Sequence, residues 1–410
     1  MTRRALGYRG REPHSARKEH QKPMRPAKHL TRRLLLVLAA GALLAAVVVY
    51  AGGDEAEQQP PAAAPTTAPP PQPRIAAAEG PDACATVIGE LTPRQRLAQL
   101  VVVGVDASDP QGAADVVGTE QVGGIFLGGN ATALLENKAL DQVQQAGRLP
   151  VSVAVDDEGG RVQRLDDLDG SIPSAREMAA TMTTGEVREL ARERGRAMAA
   201  RGVTVDYAPV LDLTDAAAGD VIGDRSFSAD PDTAHRYAQA FAAGLEDAGI
   251  QPVLKHFPGH GHATGDSHKG SVTTPPLAEL RENDLVPYRN LADFGSAAVM
   301  VGHLDVPGLT GGEPASLSPA AYQLLRGEFG FDGPVLTDDL GAMKAVTQRY
   351  PLPQAVVKAV QSGADQALWS SGGRVSTVLD AMEQATADGT LPAERVTDAL
   401  TTVLRAKHAC

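Results

Sequence analysis

The sequence predicts a single (β/α)8 barrel, preceded by an N-terminal membrane segment and a Pro-rich linker. Three observations predict it. Short apolar runs alternate with stretches of helical length from Cys84 to the end of the chain. Residues 34–51 form one uncharged apolar run. A Pro- and Ala-rich stretch separates that run from the alternating region.

The segment before Leu34 is basic. Arg3, Arg4, Arg9, Arg11, Arg17, Lys18, Lys22, Arg25, Lys28, Arg32 and Arg33 are set against only Glu12 and Glu19. The run LLLVLAAGALLAAVVVYA follows at 34–51, near the lower length for a membrane span. A basic flank on one side is what the positive-inside rule asks of the cytoplasmic end. A cleaved signal peptide ordinarily has a shorter basic region and a shorter apolar core. The reading is therefore a basic cytoplasmic segment at 1–33 and a signal anchor at 34–51, with a cleaved signal peptide as the alternative. Either one places the body outside the cytoplasm. Residues 52–82 contain PPAAAPTTAPPPQP, a composition that forms extended, semi-rigid spacers and no core.

The body spans 83–410. Its apolar runs lie at 99–105, 123–129, 150–156, 203–213, 251–257, 297–303, 333–339 and 364–370. Continuous apolar runs suit parallel strands buried on both faces, and their alternation with helices indicates βαβ units. Thr184–Ala200, Pro231–Ala248, Leu277–Phe294 and Leu352–Gln361 read as four of the helices, and Val375–His408 as the closing ones. Eight such units fit a barrel. A doubly wound open sheet is disfavoured, because no Gly-rich dinucleotide loop follows the first strand.

The formal net charge is −12, and the basic N-terminal segment makes the body more acidic still. An acidic body argues against nucleic acid as partner. The two cysteines, Cys84 and Cys410, open and close the body. Domain termini often lie close together, so a disulfide between them is expected in an oxidising compartment; two unpaired thiols are the alternative.

Barrel sites lie at the C-terminal ends of the strands. Ionisable residues gather there: Asp156, Asp157 and Glu158; Asp212; Lys255 and His256; His303 and Asp305; Asp338 and Asp339. The segment LKHFPGHGHATGDSHKG at 254–270 is the richest. Its histidines suggest a metal site, but no HExxH helix holds them, and no metal is expected. The alternative is an acid/base dyad. Asp266 and His268 stand two apart, so the carboxylate can orient the imidazole and raise its pKa. In GPVLTDDLGAM at 333–343, a strand runs straight into two aspartates. Strand alternation points only one of them into the barrel mouth, where it can attack an anomeric carbon. The other is expected to cap the next helix.

These segments, in order with VDDEGGRVQRL (155–165), APVLDL (208–213), VIGDRSFS (221–228), VMVGHLDVP (299–307) and PASLSP (314–319), resemble the family 3 glycoside hydrolases. The resemblance is to their single-domain bacterial β-N-acetylglucosaminidases and covers about Leu91 to Ala406. It implies Asp338 as nucleophile, His268 as general acid/base and Asp266 as its orienting partner. It implies that Asp156, Arg164, Arg225, Lys255 and His256 hold the terminal sugar. It also implies a monomeric enzyme without cofactor, releasing terminal N-acetylglucosamine from peptidoglycan-derived glycans by a retaining double displacement. A phosphorylase on the same site and a non-catalytic wall-glycan binder are the rival readings. The sequence departs from the family pattern at two places. His262-Ala263 stands where the family often has Asp-Thr, and Asp157 where it usually has Gln.

Overall fold

The computed structural model describes residues 72–80 and 82–410. The basic segment, the apolar run at 34–51 and most of the linker lie outside the described residues. Among the described residues no helix is long and apolar enough to cross a membrane.

Each of the eight predicted apolar runs contains one strand of a single sheet. These are β1 (Val101–Val105), β2 (Gly124–Leu127), β3 (Ser152–Val155), β4 (Val205–Asp206), β5 (Gln251–Phe257), β6 (Ala298–Val301), β7 (Val335–Thr337) and β8 (Ala367–Trp369). The order is β8-β1-β2-β3-β4-β5-β6-β7, every pairing parallel. An isolated parallel bridge, Leu336 to Gln366, joins β7 to the entry of β8, so the sheet is a nearly closed barrel.

Strand alternation divides the core in two. Val102, Phe126, Ala154, Val205, Val253, Met300, Leu336 and Leu368, one from each strand, pack together inside the barrel with Tyr207. Phe126 and Tyr207 stack there at 5.5 Å. The neighbours of these residues along each strand, such as Val101, Ile125, Val153, Leu254 and Trp369, face the surrounding helices in a larger outer core. That double burial is why the strands read as unbroken apolar runs.

Two predicted elements depart most from their patterns. The run 203–213 yields only Val205–Asp206 as regular strand. Pro209 has no N–H for the ladder, although the Leu211 amide still donates to the Lys255 carbonyl at 2.7 Å. The helix expected over Leu277–Phe294 breaks into Leu277–Glu282, Val286–Tyr288 and Leu291–Phe294. Pro287 cannot sit inside a continuous helix, because it lacks the N–H and clashes with the preceding turn.

One small sheet was not predicted. Val272–Thr273 pairs in parallel with Leu304–Asp305 above the barrel mouth. Residues 72–80, the end of the predicted linker, lie against the barrel domain: Ile75 is buried and its amide donates to the Arg148 carbonyl at 2.7 Å. Cys84 and Cys410 form a disulfide with their Cα atoms 4.9 Å apart.

Candidate active site

The inward side chains Ala154, Val253 and Leu336 set the phase of β3, β5 and β7. Two residues further on, the same phase aims Asp156, Lys255 and Asp338 at the C-terminal mouth. Three alternate strands thus deliver two carboxylates and an ammonium group to one end of the barrel.

The Lys255 ammonium lies 2.6 Å from Asp156 and 2.5 Å from Glu158. Glu158 also accepts both arms of the Arg225 guanidinium at 2.7 Å. Burial would push the Glu158 carboxyl up, but the Arg225 and Lys255 charges hold it far below the usual carboxylate range. Burial would likewise strip the proton from Lys255, and Asp156 with Glu158 keep it on. Below this cluster Asp157 is fully buried and paired with Arg194, whose side chain is 3% exposed. Asp157 also accepts the Arg164 and Leu165 amides at 2.6 and 3.2 Å, so it shapes the loop after β3 and does not face the mouth.

Asp212, on the segment after β4 that bridges to β5 through Val210 and Lys255, anchors the next wall. Its carboxylate accepts the His256 ring Nδ1–H at 2.6 Å and the His260 amide at 2.6 Å. Nδ1 is therefore the protonated nitrogen of His256, and Nε2 is free to face a ligand. The peptide bonds Lys255–His256, Phe257–Pro258 and Ala208–Pro209 are cis.

The two aspartates after β7 divide as alternation requires. Asp338 is buried, and its carboxylate accepts the Asp339 amide at 2.8 Å. Burial would raise its pKa, but His303, His256, that amide and Lys255 together hold it below the usual carboxylate value. Asp339 instead caps the following turn, accepting the Gly341 and Ala342 amides at 2.8 and 3.1 Å and the Ser370 amide at 3.1 Å. His303 is clamped between the Ser316 hydroxyl at 2.7 Å and the Asp339 carbonyl at 2.8 Å.

Asp266 and His268 sit apart from this cluster, on the loop between β5 and the small sheet. The Asp266 carboxylate accepts the His268 amide at 3.0 Å and lies 3.2 Å from its ring Nδ1. Lys269 lies 3.0 Å from the other carboxylate oxygen. The His268 side chain is 65% exposed. Among the described residues no hydrogen bond or ion pair joins it to Asp338. The loop is nevertheless docked beside β7, because the Ser267 carbonyl accepts the Ala345 amide at 3.0 Å.

Of the predicted site residues, the structure joins Asp156, Lys255 and Arg225 through Glu158, and sets His256 and Asp338 beside them. Arg164 is outside that network: its Nη1 donates to the Gln163 carbonyl, and its buried Nε has no partner. Sequence reasoning assigned no role to Glu158, Asp212 or His303. All three close or follow apolar runs, which was their one signal; their partners lie on other elements, far along the chain. Among the described residues no group of three or more His, Cys, Asp or Glu side chains is placed to hold a metal ion.

Residues 92–406 match the family described as glycosyl hydrolase family 3 N terminal domain. The chain is 53% identical over 327 residues to the beta-hexosaminidase LpqI of Mycobacterium tuberculosis, covering 77% of this chain and 84% of that protein. The crystal structure of a GH3 family glycosyl hydrolase from Mycobacterium smegmatis is 54% identical, with a TM-score of 0.76 over 78% of this chain and 98% of that one. A glycoside hydrolase family 3 beta-N-acetylglucosaminidase from Paenibacillus is 30% identical, with a TM-score of 0.71 over 78% of this chain and 62% of that one. With the barrel, the buried carboxylate after β7 and the charged cluster at its mouth already in place, these matches establish that the chain belongs to glycosyl hydrolase family 3.

Proposed function

We propose that this chain is a retaining β-N-acetylglucosaminidase that releases non-reducing terminal N-acetylglucosamine from peptidoglycan-derived glycans. The observation that carries the reading is Asp338: a buried carboxylate, kept ionised by the charges and dipoles around it, at the mouth of the barrel. Such a group is a nucleophile without needing a base. Its oxygen attacks the anomeric carbon while His268 gives a proton to the departing glycosidic oxygen. A glycosyl ester on Asp338 results. Water then gives a proton to His268 and attacks the same carbon, which frees the sugar and restores the carboxylate. Asp266 holds His268 through Nδ1, leaving Nε2 to meet the leaving oxygen. Closure of the 265–271 loop over bound sugar brings that nitrogen into reach, since catalytic hydrogen bonds are often long before substrate binds.

The sugar is held by complementary polarity. Asp156 and the His256 Nε2 accept from its hydroxyls, while Lys255, Arg225 and the unpartnered Arg164 Nε donate. The names of the relatives support N-acetylhexosamine as the sugar. The basic flank and apolar run at 34–51 support an envelope enzyme held by an N-terminal anchor. The Cys84–Cys410 disulfide suits the oxidising side of the membrane.

The test is hydrolysis of para-nitrophenyl β-N-acetylglucosaminide by the full chain, with and without phosphate and chelator. Asp338→Ala is expected to lower kcat by about a thousandfold or more. Retained activity in that variant would remove the nucleophile assignment, and release of sugar phosphate would make the enzyme a phosphorylase.

A further inference from the structure

We propose that His262 is a positioning residue for the acid/base step: it fixes the entry of the loop that carries His268, through a hydrogen bond to the buried Asp284. This rests on the reading of His268 as acid/base.

The loop behaves as a unit because its neck is closed. The Thr264 amide donates to the Thr273 carbonyl at 2.8 Å, and the Thr273 amide returns the bond at 3.2 Å. Inside the neck, the Lys269 and Gly270 amides both donate to the Asp266 carbonyl. The orientation of His268 is therefore set by what holds the two ends of the neck. The exit is held by backbone, through the pairing of Val272–Thr273 with Leu304–Asp305 and the Thr274 amide on the Asp305 carbonyl at 3.0 Å. The entry runs close over its support. A Cβ on Gly261 would lie 1.9 Å from the Leu213 carbonyl oxygen, and one on Gly259 would lie 2.6 Å from the Asp284 Cβ. The last side-chain anchor before the neck is His262, whose Nδ1 lies 2.9 Å from an Asp284 carboxylate oxygen.

Asp284 suits this task. Its side chain is 3% exposed, against 37% for His262. It sits in the break after the helix Leu277–Glu282, on an element separate from the loop. Among the described residues, His262 is the one side chain bonded to its carboxyl. A buried carboxyl is costly unless paired, so the imidazole is held to it, and the loop entry with the imidazole. His262 is also where the sequence departs from the family's usual aspartate. An aspartate there would set like charge against Asp284.

The consequence separates positioning from folding. General-acid help matters in proportion to how poor the leaving group is. A displaced His268 should cost little on a dinitrophenyl glycoside, which leaves unaided, and much on a disaccharide. The experiment compares kcat/KM of the full chain on dinitrophenyl β-N-acetylglucosaminide and on N,N′-diacetylchitobiose for His262→Ala, His262→Asn and His268→Ala, with Tm for each. His262→Ala should lose roughly ten- to a hundredfold on the disaccharide and less than about threefold on the activated glycoside. His262→Asn, whose amide can still donate to Asp284, should recover most of the loss. Equal losses on both substrates, or no loss, would overturn the proposal while a split in His268→Ala leaves the acid/base reading standing. No split in His268→Ala would overturn both.

Discussion

Asp338 and Asp206 are both buried carboxyls of the barrel, and their surroundings drive them in opposite directions. At Asp338 the penalty of burial is outweighed by His303, His256, an amide and Lys255, and the group stays ionised. At Asp206 burial is joined by the charge of Asp157, and the pKa is raised well above the usual value. One Asp206 oxygen accepts the Asp157 amide at 2.9 Å, and the other has no partner. The charges explain the difference. Arg194, Arg225 and Lys255 already face Asp156, Asp157 and Glu158, and a fourth carboxylate would be uncompensated. Because the folded pKa lies above the unfolded one, the Asp206 contribution is present below the ordinary carboxylate value and lost as pH rises through the folded value. Asp206→Asn keeps the acceptor and removes the ionisation. Its Tm relative to the parent should therefore increase between about pH 4 and about pH 8; a constant difference across that range would show Asp206 ionised in the fold.

At the level of elements, strand ends supply charged groups to the barrel mouth and loops supply their order. The loop after β3 folds back on Asp157, which collects two amides and the buried Arg194 guanidinium from the helix Thr184–Arg201. Removing one partner of such a pair leaves the other charged and dry, at a cost of about 3–5 kcal/mol. Asp157→Ala should lower the urea midpoint accordingly, and should also raise KM, since Asp156 and Glu158 flank it. A variant with unchanged stability would show that water reaches Arg194. The loop after β5 differs in kind: His268, the acid/base of the proposed mechanism, is exposed, and the order of the loop comes from its two ends. Of its residues the sequence made Asp266 and His268 legible as a pair, because they are close along the chain. The His262–Asp284 bond was not legible, since the residues are 22 apart and Asp284 lies inside a predicted helix that Pro287 breaks.

For the whole molecule, the disulfide joins the first helix, Ala83–Gly89, to the last residue, across 326 positions. A crosslink that closes so long a loop restricts the unfolded chain heavily, and loss of a native one typically costs about 2–5 kcal/mol. Cys84→Ser should lower the Tm of the full chain while leaving KM for the terminal sugar unchanged, because the bond is remote from the barrel mouth residues. Equal thermal stability of parent and variant would mean that the packing of the closing helices alone fastens the ends.

The amino-acid sequence by itself determined the eight strands, the polarity of the barrel and the end at which chemistry gathers. Those are local properties: an apolar run must be buried wherever it goes, and alternation lets only one of two adjacent aspartates face inward once the strand is recognised. Only the tertiary structure decided the partners. Lys255 and Asp156 are 99 residues apart, Arg225 and Glu158 67, His256 and Asp212 44, and Arg194 and Asp157 37. No periodicity links such positions; closing the barrel brings their strand ends, loops and helices together, and the burial of these groups away from water makes each charge depend on which other one it meets.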